Sequence, residues 1–150
     1  MADARYKISV RQDENRCLSV GINKGPTSEY PTTIYDLALL SADAKNGTDW
    51  IARDIPGTSA KLLIKSGGPG DGQVLTWATG TWGFMLLGDY TPGEQEQIVR
   101  FDELDGGFVA INNHDKTHVL DWNHSNPHSA LVTPFPWNGG WNQQWLLRDR

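Results

Sequence analysis

An all-β chain built from three similar units is the fold class that this sequence predicts, on three observations. Helix signals are scarce; the best, Leu37 to Lys45, is short and runs into Asn46-Gly47. Short β-branched or aromatic runs separated by Gly, Pro, Asn and Asp dominate the rest, a pattern of many brief strands. Three segments also close alike: Asp49-Trp50-Ile51-Ala52-Arg53-Asp54, Gln97-Ile98-Val99-Arg100-Phe101-Asp102 and Gln144-Trp145-Leu146-Leu147-Arg148-Asp149. Their apolar anchors Trp50, Ile98 and Trp145 stand 48 and 47 residues apart, each with an Asp four residues on.

The elements follow the same period. Tyr6 to Val10, Lys61 to Lys65 and Phe108 to Ile111 open the units. Cys17-Leu18-Ser19-Val20, Val74-Leu75-Thr76-Trp77 and Val119-Leu120-Asp121-Trp122 form a second set. Ile34 to Leu39, Phe84 to Leu87 and Ala130 to Phe135 form a third. With the closing segments, each repeat of about 47 residues offers four strands. One unit cannot bury its own apolar face, whereas three about a pseudo-threefold axis share a core and close a barrel. That architecture is a β-trefoil. It is expected as one domain over residues 1–150, with repeats at approximately 1–56, 57–104 and 105–150. A three-bladed propeller fits the strand count, but propellers usually need at least about four blades.

The repeat also sorts the apolar residues. Trp50, Ile98 and Trp145 recur at one position and are expected in the core, as are Leu18, Leu75 and Leu120. Cys17 beside Leu18 reads as a small buried apolar residue.

Composition excludes several functions. The net charge of −5 is mixed in sign along the chain, so nothing marks a surface for nucleic acid or anionic membrane. No run of about 18 apolar residues is present, so membrane insertion is not expected. The single cysteine forbids an intrachain disulfide, and Met1 to Val10 lacks the apolar stretch of a signal peptide. A cytoplasmic protein is expected, with the sequons at Asn46 and Asn123 unmodified and any release by a non-classical route.

The third unit carries the informative motif. Val119-Leu120-Asp121-Trp122 is followed by Val132-Thr133-Pro134-Phe135-Pro136-Trp137-Asn138-Gly139-Gly140-Trp141-Asn142-Gln143-Gln144-Trp145. This resembles the ricin B-type lectin repeat, in which a Cys-Leu-Asp-Val strand precedes an apolar-Gln-Leu-aromatic strand, an Asn-Gly-Gly turn and Asn-Gln-x-Trp. The resemblance is sharp over residues 118 to 147, and periodicity alone extends it to the remainder. Small fungal lectins of this class often lack a signal peptide and disulfides, as this chain does.

The resemblance implies one site for galactosyl or N-acetylgalactosaminyl glycans. A carboxylate accepts hydrogen bonds from two adjacent hydroxyls at once, the role it gives Asp121. A side-chain amide donates and accepts, which suits Asn142 to a hydroxyl. An aromatic ring covers the C–H face of the sugar, and counting back from the turn makes that ring Phe135. Thr133 stands where the motif has Gln. Gln143 is the motif's Gln, which supports the carboxylate and the turn. Trp122, His124, Trp137 and Trp141 are expected to flank the site. Phe135 stands between Pro134 and Pro136, which cannot donate to a ladder, so Trp137 or Trp141 is the alternative ring.

The other units lack the carboxylate: its position is Ser19 in the first and Thr76 in the second. The Asn position holds Gly47 and Gln95, and the Gln position Thr48 and Glu96. One site per chain implies weak binding of single sugars, with agglutination requiring a homodimer.

Other chemistries find little support. His114, His118, His124 and His128 cluster in the third unit, but their spacing is not that of a metal motif, so no metal or other cofactor is expected. A protonated histidine near Asp121 would compete for its oxygens and make affinity pH-dependent. No nucleophile elbow, phosphate loop or His-Glu-x-x-His occurs, so the chain is not expected to be an enzyme. The glycine-rich Lys65 to Gly72 joins two strands and reads as a hairpin loop. The rival reading is a trefoil protease inhibitor presenting Lys24 on the polar connection 21–33. A third is a module that binds proteins through its loops.

Overall fold

The computed structural model describes residues 4–24, 34–41, 48–68, 70–77, 85–122 and 132–149, with side chains described outside 21–24 and 34–41. Twelve strands occupy these residues. They are β1 (Ala4–Val10), β2 (Asp13–Lys24), β3 (Ile34–Ser41), β4 (Asp49–Asp54), β5 (Lys61–Ser66) and β6 (Val74–Trp77). The remainder are β7 (Met85–Gly88), β8 (Arg100–Glu103), β9 (Val109–Asn112), β10 (Val119–Trp122), β11 (Val132–Phe135) and β12 (Trp145–Asp149).

Six strands close a barrel. β1 pairs with β4, β4 with β5, β8 with β9, β9 with β12 and β12 with β1. The seam between β5 and β8 is joined at Lys61 and Val99, whose backbones exchange two hydrogen bonds of 2.9 Å. Closure removes the open edges that a flat sheet would present. The other strands form three hairpins, β2–β3, β6–β7 and β10–β11, with β3 also pairing β7.

The core gathers one set of side chains from each unit. Leu18, Leu75 and Leu120 are fully buried, as the repeat predicts, and they join Ile8, Val10, Leu63, Met85 and Ile111 in a single cluster. Trp50 donates its indole N–H to the carbonyl of Leu18 at 3.0 Å, and Trp145 makes the same bond to Leu120 at 3.2 Å. These equivalent bonds satisfy a buried polar N–H at the same place in units one and three. Cys17 is buried, with its sulfur 3.5 Å from the hydroxyl of Ser9.

The second unit departs from expectation by one residue. Its core anchor is Val99, fully buried in the main cluster, whereas Ile98 is only partly buried. Matching the closing aspartates hid this, because both residues are apolar and a one-residue slip along a strand exchanges the buried and exposed faces. The helix signal at Leu37 also yields: residues 37–41 belong to β3, paired with β2. A short weak helix former cannot compete with a full ladder.

The proposed inhibitor loop is shorter than its sequence suggests. β2 continues through Lys24, paired with Ile34, so 21–24 are strand, while 25–33 lie outside the described residues. The segment Lys65 to Gly72 does connect β5 to β6 as a hairpin. Among the described residues no helix is long and apolar enough to cross a membrane.

Candidate functional site

Strand alternation on β10 sets the site. Leu120 and Trp122 point into the core, which sends Asp121 to the opposite face. Across the β10–β11 pairing Asp121 stands opposite Thr133, and Val119 opposite Phe135. Thr133 and Phe135 are two residues apart on one strand, so both lie on the Asp121 side. The prolines do not end the strand before Phe135. β11 terminates the sheet order, an edge location where proline is tolerated.

Gln143 organises the polar floor. Its amide nitrogen donates to Oδ2 of Asp121 at 2.8 Å and to the carbonyl of Pro136 at 2.9 Å. Its amide oxygen accepts from the backbone N–H of Asn138 at 2.8 Å. The side chain is fully buried and spends its hydrogen bonds inside the protein, as the motif implies. It is the last residue of a 3-10 turn, Trp141–Gln143, which packs against β10 and β1.

The Asn-Gly-Gly turn is fixed by its own residues. Asn138 accepts the Gly140 N–H on its side-chain oxygen at 2.8 Å, and Gly139 takes a positive φ of 79° that L residues rarely adopt. At Gly140 a Cβ would meet Oδ1 of Asn142 at 2.4 Å, so any other residue there would displace the Asn142 side chain. Asn142 is buried and donates to the carbonyl of Trp122 at 3.1 Å, tying the turn to β10.

The rim is aromatic. Phe135, Trp137 and Trp141 are 49%, 47% and 56% exposed, while Asp121 is 4% exposed. Asp121, Thr133, Phe135, Asn142 and Gln143 are therefore gathered on or against one hairpin. Trp122 is not a flanking ring: it is 8% exposed and part of the main core, because it alternates with Asp121. His124 and His128 lie outside the described residues. His114 and His118 sit by the β9–β10 turn, where Thr117 meets the His118 ring at 3.0 Å and Asp115 lies 4.0 Å from His114.

Two features escaped the motif. The first is Gln97, which repeats the work of Gln143 in the second unit. It donates to the hydroxyl of Thr76 at 3.3 Å and to the carbonyl of Asp89 at 2.8 Å, and it accepts from the Thr91 N–H at 2.9 Å. The motif glutamine of that unit is thus Gln97 and not Glu96, the same one-residue slip that exchanged Val99 for Ile98. The pattern Gln97-x-Val99 could have revealed it. In this unit the carboxylate is replaced by Thr76, and Gly88 occupies the place of Phe135 in the equivalent pairing.

The second is Arg11, from the far end of the chain. Its guanidinium lies 4.3 Å from the Trp141 ring centre and 4.4 Å from that of Phe108. It donates to the Gln144 side chain at 2.7 Å, a bond spanning 133 residues. No local sequence signal marks it.

Comparison with known proteins adds the fold. No family model and no curated protein matches this chain. ThreeFoil, a designed threefold-symmetric protein, matches with a TM-score of 0.77 and 21% identity, over 97% of this chain and 99% of its own. The agglutinin of Rhizoctonia solani matches at 0.75 and 16% identity, over 100% of this chain and 97% of its own. The lectin of Polyporus squamosus, solved with Neu5Acα2-6Galβ1-4GlcNAc, matches at 0.75 and 14% identity, over 99% of this chain and 50% of its own. The chain thus spans half of that lectin. A closed barrel of six strands, three capping hairpins and these likenesses establish one conclusion: the chain has the β-trefoil fold.

Proposed function

We propose that this protein is a lectin that binds galactose- and N-acetylgalactosamine-type glycans at one site on the β10–β11 hairpin. The observation that carries the reading is the Gln143 bond to Asp121, which orients a buried carboxylate on the face of the β10–β11 hairpin that also carries the exposed Phe135. Asp121 accepts from two neighbouring sugar hydroxyls, Thr133 and Asn142 border them, and Phe135 covers the C–H face. Trp137 and Trp141 extend the apolar wall. The agglutinin and the lectin among the structural matches support a carbohydrate ligand, and the saccharide in the latter contains galactose. The reading makes the chain a cytoplasmic binder and not an enzyme, with single-sugar affinity in the millimolar range, about −4 kcal/mol.

The test is retention on immobilised lactose. Wild type is retained and eluted by free galactose, while Asp121→Ala passes through with an unchanged circular dichroism spectrum. A glycan array without galactosides among the bound glycans sinks the reading.

A further inference from the structure

We infer that Arg11 forms a cationic subsite at the rim of this pocket and selects galactosides bearing an anionic substituent, a carboxylate or a sulfate. The inference rests on the galactoside reading above and adds the class of glycan preferred.

The guanidinium carbon lies over both the Trp141 and the Phe108 rings, 4.3 and 4.4 Å from their centres. Ring contacts use the faces of a guanidinium, whose N–H donors lie in its own plane. One edge is committed: Nη1 donates to Gln144, whose own amide donates to the carbonyl of Gly139 in the Asn-Gly-Gly turn. Nε and Nη2 have no hydrogen-bond partner among the described residues. A planar pair of donors held rigid by stacking matches the two oxygens of a carboxylate or sulfate.

The neighbouring charges are already matched. In the same β1–β2 hairpin Asp13 pairs with Arg16 at 3.4 Å, and Glu14 pairs with Arg148 at 3.7 Å. Arg11 has no carboxylate partner among the described residues. The chain carries a net charge of −5, so an unpaired cation here stands against the overall field. Its place is fixed by the turn Trp141–Gln143, which packs on β10 and on β1 and so joins Asp121 to Arg11. In the proposed subsite, the next substituent of a sugar held on Asp121 reaches that edge.

The experiment measures dissociation constants of the full chain for lactose, 3′-sulfolactose and 3′-sialyllactose. Either anionic ligand binds about fivefold tighter than lactose at low salt. The advantage disappears at about 1 M salt, where the screening length is about 3 Å. Arg11→Gln reduces the ratio to about one, and Arg11→Lys keeps part of it. Preference for the sulfated or the sialylated ligand identifies the anion and supports the subsite in either case. Equal binding of all three ligands by the wild type, which needs no variant to fold, overturns the subsite and leaves the galactoside reading intact. So does a preference that survives in Arg11→Gln. Failure to bind any of the three removes both.

Discussion

The side-chain nitrogen of Gln143 lies 2.8 Å from Oδ2 of Asp121, joining the turn before β12 to the middle of β10 across 22 residues of chain. Both side chains are buried, so losing the bond carries a desolvation cost. The same amide holds Pro136 and Asn138, which makes it the point where carboxylate, edge strand and turn are fixed together.

Removing that amide therefore affects folding and binding at once. Gln143→Leu leaves a buried carboxylate oxygen and a backbone N–H without their partner. We expect a loss of about 2–4 kcal/mol in chemical denaturation and galactoside binding weakened by about tenfold or more. Wild-type stability in this variant contradicts the role given to the bond.

Gln97 provides the control. It makes the same three kinds of contact but holds Thr76 where Gln143 holds Asp121. Gln97→Leu is expected to cost about 1–3 kcal/mol of stability and to leave galactoside affinity within about twofold. Calorimetry on the wild type should find one sugar per chain; two equal sites would show that a hydroxyl substitutes for the carboxylate.

The register of the second unit is testable with two alanines. Val99 is fully buried and Ile98 partly exposed. Val99→Ala should cost about 2 kcal/mol and Ile98→Ala less than about 1 kcal/mol, although isoleucine loses more atoms. The reverse order in urea melts restores Ile98 as the anchor.

Phe135 is half exposed at the sheet edge, so its proposed role in binding is separable from the fold. Phe135→Ala should weaken galactoside binding by about tenfold and shift stability by less than about 0.5 kcal/mol. If Trp137→Ala alone produces that loss, the stacking ring has been misassigned.

Lys65 predicts a pH dependence. Its side chain is fully buried, and its ammonium donates to the carbonyl of Gly67 at 2.6 Å. Burial holds its pKa below the ordinary 10.5, against the opposing pull of Asp49 and Asp71 and with a small push from Lys7 in the same direction. Just below that ordinary value the unfolded chain keeps the proton and the folded chain has released it. The unfolded state then binds more protons, so stability rises with pH through this window. Denaturation of wild type beside Lys65→Met over the alkaline range should show this extra rise in the wild type alone. Parallel curves rule it out.

Much of this protein is legible in its residues one after another. The threefold period, β6 and β10 to the residue, the core leucines, and Asp121 with Gln143 all follow from local alternation and a motif held within 30 residues. What the tertiary structure alone decided concerns facing and distance. Val99 instead of Ile98, and Trp122 in the core rather than at the site, each depend on which way one residue points. A strand reverses that at every step, and two apolar neighbours look alike in sequence. Arg11 meets Gln144 only because β1 and β12 lie side by side in the closed barrel. Closing that barrel is a long-range event, and no pattern in either segment alone specifies the contact.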